Sequence, residues 1–399
     1  MTESAPQESA IFPRPAQMVA TIIIGSLAIL IFGIQPVLYA AFVAEGVIEP
    51  DGLGLLSAAE VVAIAIGSGL AIPAIKHVPV ATIAGLAILL VASANYFQAH
   101  HGNADLLFAC RMLAGLGSGF LVGIAGAAIA ATRRVGQWAA GYLLAQAASQ
   151  FLLLQSFAVL LPVPTSTDLL LSLAILSAAM LLGLPFLPPS LAHRALSDTA
   201  GDHGKPDAAG MRWLAVMFLF VGGALTIWAY AGVWLETKNV SASAAAAILS
   251  SSLAGQAVGA FAACLIRNGK HDRGRLVCTT LLLLLSAGGW LLWPGSLLAA
   301  AGFGIWWMSS VPILSAILSE VDHDRTALPF APAAQLAGIA VIPTAAGFLF
   351  AAHDVERVLI AGCAAIAFSL FLGFAAPPRR IGALAKGALR RFSSDAISR

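Results

Sequence analysis

Apolar residues in this chain fall into twelve long runs separated by short polar gaps. The runs cover 18–42, 53–75, 79–98, 105–131, 137–161 and 168–187, then 212–235, 243–266, 276–293, 295–319, 327–351 and 357–376. Each is close to the roughly 20 apolar residues that a helix needs to cross about 30 Å of hydrocarbon. A membrane barrel strand would instead alternate apolar and polar positions over about ten residues between turns. A helix satisfies its backbone hydrogen bonds within itself, which lipid demands. The pattern therefore predicts an all-α, polytopic membrane protein with twelve transmembrane helices, here called spans 1 to 12.

Charge orients the spans. Of 21 Lys and Arg, 18 lie in the N-terminus, the even-numbered gaps or the C-terminus; the exceptions are Lys238, Arg357 and, inside span 4, Arg111. Basic residues collect on the cytoplasmic side of a bilayer, so both termini are expected in the cytoplasm and the chain in the plasma (inner) membrane. Only 10% of residues are charged, against 59% hydrophobic. A soluble surface needs about 25% charged residues, so lipid is the solvent. The net charge of +2 is spread over many gaps and forms no nucleic-acid patch. Run 18–42 is too long for a cleaved signal and reads as an uncleaved first span. The four cysteines (Cys110, Cys264, Cys278, Cys363) lie in or beside apolar runs without metal-ligand spacing, so they read as structural thiols. His100 and His101, adjacent in an outer gap, make a poor metal site, and no metal or cofactor is expected.

An internal repeat divides the chain. Tyr39 and Glu45 recur as Tyr230 and Glu236, 191 residues later. Gly115 and Gly117 recur as Gly302 and Gly304, and Ala145–Ser149 is echoed by Ala334–Gly338. Near-constant offsets imply two parallel repeats, as in transporters that rock one bundle against another. The expected organisation is an N-terminal six-helix bundle over 1–187, a cytoplasmic linker over 188–211 and a C-terminal six-helix bundle over 212–378. A basic amphipathic tail over 379–399 would lie on the inner leaflet.

Twelve spans, a six-plus-six split, a long central loop and the run Arg111-Met112-Leu113-Ala114-Gly115-Leu116-Gly117 in span 4 resemble the major facilitator superfamily. The loop after span 2 departs from that family's usual pattern: Pro73, Lys76, His77 and Val78 stand where Asp, Gly, Arg and Arg are common. Asp272-Arg273-Gly274-Arg275 after span 8 is a faint echo of it. The Gly-Pro motif of antiporter branches is absent from span 5.

Two ionisable residues sit deep. Glu60 and Arg111 each lie six positions into spans that run inward, at a depth of about 9 Å. Such residues need a partner or water, and equal depth lets these two pair. As the only deep carboxylate, Glu60 is a candidate proton carrier with Arg111 as its modulator, and the family resemblance ties the span 4 arginine to coupling. Arg111 could instead bind a substrate carboxylate bidentately, and a static pair locking spans 2 and 4 is the structural alternative. The resemblance also implies a central cavity lined by spans 1, 4, 7 and 10, with spans 2, 5, 8 and 11 beside them at the bundle interface. Its candidate residues are Gln35, Tyr39, Gln146, Gln150, Trp228, Tyr230, Gln256, Trp306 and Gln335. Gln146 and Gln150 share a helical face, and Trp306 lies about 16 Å into span 10. Amides and aromatic rings with few fixed charges suit a small neutral or singly anionic organic molecule; interhelical hydrogen bonding is the alternative role. Trp138, Trp213, Trp234, Trp290 and Trp293, near span ends, read as interfacial anchors. Glycines 115, 119 and 123 read as a packing face rather than a nucleotide loop, and Pro36, Pro312, Pro332 and Pro343 as kinks.

These features predict a secondary transporter of a small organic solute, with a proton as coupling ion and a monomer as the unit. No enzyme-like cluster of His, Asp, Ser or Cys occurs, and no Walker lysine motif. An efflux pump for amphiphilic compounds and a transport-inactive sensor or scaffold on the same frame are the competing readings.

Overall fold

The computed structural model describes residues 13–101, 104–132, 135–160, 164–189, 191, 207–265, 272–322, 326–351 and 354–374. The tail over 379–399, most of the 188–211 linker and the side chain of Cys264 lie outside the described residues. Within them there are only helices. Eleven are long and apolar enough to cross a membrane. Val135–Leu160, 26 residues long, carries four glutamines (Gln137, Gln146, Gln150, Gln155) and completes the twelve.

Span 1 is broken. It runs as Pro15–Leu27 and Ile31–Ala44, joined by a turn over Ala28, Ile29 and Leu30. Backbone bonding there contracts from four-residue to three-residue spacing, with Ile29 N donating to the Ser26 carbonyl and Phe32 N to that of Ile29. The remaining spans are Gly52–Ala74, Val80–His100, Ala104–Ala130, Val135–Leu160, and Ser166–Ala179 extended by a 3-10 segment to Phe186. The second set is Ala208–Thr237, Ala242–Leu265, Asp272–Leu292, Leu297–Val321, Ala331–Ala346 (ending in a π-turn over Gly347–Ala351) and Val355–Phe374. Pro332 falls in the first turn of span 11, where proline is tolerated without a kink; the expectation of a kink there is corrected.

Each half packs by the same plan. Span 4 lies on spans 2 and 3 as span 10 lies on spans 8 and 9, and span 7 contacts spans 11 and 12 as span 1 contacts spans 5 and 6. Glycines set the closest approaches. A Cβ on Gly115 would meet the Glu60 carbonyl at 2.4 Å, and one on Gly304 would meet that of Ser252 at 2.0 Å. By packing role the mate of Gly115 is therefore Gly304, at an offset of 189 (304 minus 115). The sequence pairing of Gly115 with Gly302 is displaced by two residues, because Gly302 faces Ser286 on span 9 instead.

Three of the tryptophans expected at the membrane interface are buried. Trp213, Trp234 and Trp290 expose 1%, 0% and 1% of their surface. Trp234 meets Trp290 edge-on at 6.0 Å, and Phe303 and Trp307 extend the row at 5.8 and 5.7 Å. Position near a span end gives depth but not facing, and these rings face neighbouring helices. Trp293, 67% exposed, faces outward.

Candidate functional site: a buried ion pair and a sealed seam

Glu60 on span 2 and Arg111 on span 4 lie 3.4 Å apart, both almost wholly buried. Gly115, one turn beyond Arg111, brings span 4 against the span 2 backbone at Glu60. Span 3 completes the shell with two side chains the sequence reading missed. Arg111 donates from Nε to Gln98 Oε1 at 2.6 Å and from a terminal nitrogen to Asn95 Oδ1. Asn95 and Gln98 are three apart, so they share a helix face; two amides so spaced in an otherwise apolar run were the available signal. One guanidinium thus serves a carboxylate and two amides, the fork geometry arginine supplies and lysine cannot. Glu60 Oε2 has no partner among the described residues. The group borders a cavity of about 10 Å³ lined also by Leu30, Val91, Ser118, Leu173 and Ser177, room for about one water.

The nine cavity candidates are placed differently. Gln35, Tyr39, Gln150, Trp228, Tyr230 and Gln256 are buried, while Gln146, Trp306 and Gln335 are partly exposed. None lines the largest described cavity. Five of them satisfy backbone groups or bind one another. Gln150 Nε2 donates to the Ile29 carbonyl at 3.0 Å, in the break of span 1. Pro36 has no N–H to offer the carbonyl four residues back. That acceptor, Phe32 O, takes Trp228 Nε1 from the other half at 2.6 Å. Tyr230 Oη accepts from Gly54 N at 2.9 Å, a first-turn donor without a helical partner. Gln35 Nε2 donates to Tyr39 Oη at 2.8 Å and Ser57 Oγ at 3.1 Å.

Several of these contacts join the two halves. Let the terminal face be the one where span 1 begins, and the far face its opposite. From mid-membrane to the far face, Trp228 holds Phe32, Gly232 meets the Pro36 carbonyl, Tyr230 holds Gly54, and Thr344 Oγ1 donates to the Gly54 carbonyl at 2.9 Å. The seam is closed toward the far face along spans 1, 2, 7 and 11.

No family model matches the sequence, and no curated protein is similar to it in sequence. The structure does have counterparts. It is similar to the nucleoside transporter NupG, with a TM-score of 0.72 at 10% identity over 90% of this chain and 99% of that one. It is similar to the major facilitator superfamily proton:xylose symporter XylE, with a TM-score of 0.64 at 15% identity over 90% and 96%. A human organic anion transporter superposes with a TM-score of 0.60 at 16% identity over 90% and 99%. The chain has the major facilitator fold. It is a multi-pass membrane protein, and its resemblance to these structures lies in the fold alone. On the major facilitator frame the buried pair sits wholly inside the N-terminal half, and the seam between halves is where Trp228, Gly232, Tyr230 and Thr344 meet their partners.

Proposed function

We propose that this protein is a secondary transporter that moves a small organic solute across the plasma membrane by alternating access, coupled to a proton at Glu60. The observation that carries this reading is a carboxylate buried in the membrane with one oxygen bound to Arg111 and the other unpartnered beside a water-sized cavity. Ionised, Glu60 neutralises Arg111. Protonated, it releases Arg111 to Asn95 and Gln98 alone, and that change in bonding is what a second conformation would exploit. Ser57, one turn before Glu60 on span 2, bonds Gln35 of span 1, which links the pair to the helix that carries the seam. Transporters with the same fold are described as moving nucleosides, xylose with a proton, and organic anions, which supports a small organic solute as the class. The terminal face, richer in Lys and Arg, is the cytoplasmic one in this reading, so the seam is closed on the outside. The unit is a monomer.

Glu60→Gln tests the coupling in proteoliposomes. The variant, isosteric and permanently neutral, should lose uptake driven by a pH gradient and retain solute counterflow. Gradient-driven uptake at the wild-type rate would remove Glu60 from the coupling role.

A further inference from the structure

A cavity of about 350 Å³ opens at the far-face end between spans 1, 5, 7 and 8, within the size range of small-molecule sites. Spans 5 and 8 pack against each other, as spans 2 and 11 do on the other flank, but toward the far face the two flanks differ. On the flank of spans 2 and 11, Gly54 of span 2 lies against the Pro343 carbonyl of span 11, where an added Cβ would come within 2.5 Å. Packing roles make Ser252 the mate of Glu60 (offset 192) and Gly304 the mate of Gly115 (offset 189). The same offsets carry Gly54 to Ala246 and Pro343 back to Leu154, and both of these line the cavity. A methyl group, that of Ala246, stands where glycine lets the far end of the other flank close.

Its walls are mostly apolar, from Ala40, Phe157 and Leu249 among others, and its ionisable groups are two carboxylates, Glu45 and Glu236; no Lys, Arg or His lines it. The two glutamates are repeat mates with different duties. Glu45 accepts from the backbone N and the hydroxyl of Ser166, tying the end of span 1 to the start of span 6. The matching tie in the second half, between spans 7 and 12, is made by Lys238 and Glu356. The carboxylate of Glu236 is left with no hydrogen bond or ion pair to a described residue, at the cavity wall.

We infer that this cavity is a binding site for a small organic cation, an ammonium head on an apolar body, held by Glu236. Apolar walls take the body and the unpaired carboxylate takes the charge, which also excludes anions of the same shape. The site stands apart from Glu60, which does not line it.

Benzyltrimethylammonium and benzylsulfonate, matched in shape and opposite in charge, are the probes, read by thermal shift and calorimetry on the full-length purified protein. The cation should bind and the anion should not. Glu236→Gln should weaken cation binding about tenfold or more, and Ala246→Phe, which fills the cavity but keeps the carboxylate, should abolish it. Melting without ligand checks that both variants fold. Equal binding of the anion, or wild-type cation affinity in both Glu236→Gln and Ala246→Phe, overturns the assignment.

Discussion

Gly232 is the position where one methyl group should open the far face. It lies on span 7 against span 1, and an added Cβ would sit 1.9 Å from the Pro36 carbonyl oxygen, with Ala40 Cβ behind it at 3.3 Å. The obstacle is backbone, which no rotamer change relieves. Ordinary contact begins near 3.4 Å, so in Gly232→Ala the two helices must part by about 1.5 Å. Overpacking of this kind costs about 1–3 kcal/mol, and parting the helices also stretches the Trp228–Phe32 bond, worth about 1 kcal/mol. The closed arrangement is thus penalised by about 2–4 kcal/mol, roughly a 30- to 700-fold shift against it. An arrangement with the far ends apart escapes the penalty. Spin labels at Glu49→Cys and Asp354→Cys, exposed far-face positions in opposite halves, report the separation in a background freed of native cysteines. Gly232→Ala should move the main distance population outward. An unchanged distribution together with an unchanged melting temperature would refute the reasoning, since it would mean that the methyl is absorbed locally.

Two further outcomes follow from the buried polar groups. Arg111→Met leaves Glu60, Asn95 and Gln98 without their donor and should destabilise by about 3–5 kcal/mol; Glu60→Gln/Arg111→Met, which removes the stranded charge, should recover part of the lost melting temperature, and no recovery would argue against a charge penalty. Gln150→Leu removes the side-chain donor to the Ile29 carbonyl and should cost about 1 kcal/mol in thermal melts, whereas wild-type stability would show that the break at Ala28–Leu30 is set by the backbone alone.

The spans were legible because each is a run of apolar residues as long as the membrane is thick, and all twelve bear out within a few residues. The pairing of Glu60 with Arg111 could be anticipated from depth, since residues six positions into two parallel spans lie level. Facing was the harder matter. Asn95 and Gln98 join the pair from a span running the opposite way, so counting from span starts did not align them with it. Trp234 and Trp290 gave depth without direction and turned inward to each other. The break in span 1 has no glycine or proline at Ala28–Leu30 to announce it; its carbonyl is answered by Gln150, more than a hundred residues away. Pro36 is visible in the sequence, but the partner of the carbonyl it frees, Trp228, belongs to the other half and to tertiary structure.

The two halves share a backbone plan and divide its duties. Where span 4 carries Arg111, the packing offset of 189 places Ala300 on span 10, and where span 2 carries Glu60, span 8 carries Ser252. Among the described residues, the other buried carboxylates, Asp272 and Asp322, lie at helix ends, and Asp322 accepts from the backbone nitrogens of Thr326, Ala327 and Leu328. Mid-membrane charge therefore belongs to the first half. The second half sets buried rings from that depth to the far-face ends of its spans: Phe303 level with Arg111, Trp228 and Trp307 deeper, Trp234 and Trp290 near span ends. A charge pair can change its bonding with one proton, while a packed row of aromatic rings resists deformation. Placing the first in one bundle and the second in the other gives a unit that responds and a unit that holds its shape. The seam follows the same division, for the second half offers Trp228, Tyr230 and Thr344 to backbone groups of Phe32 and Gly54. Its grip is on the backbone of spans 1 and 2, and span 2 is the helix that carries Glu60.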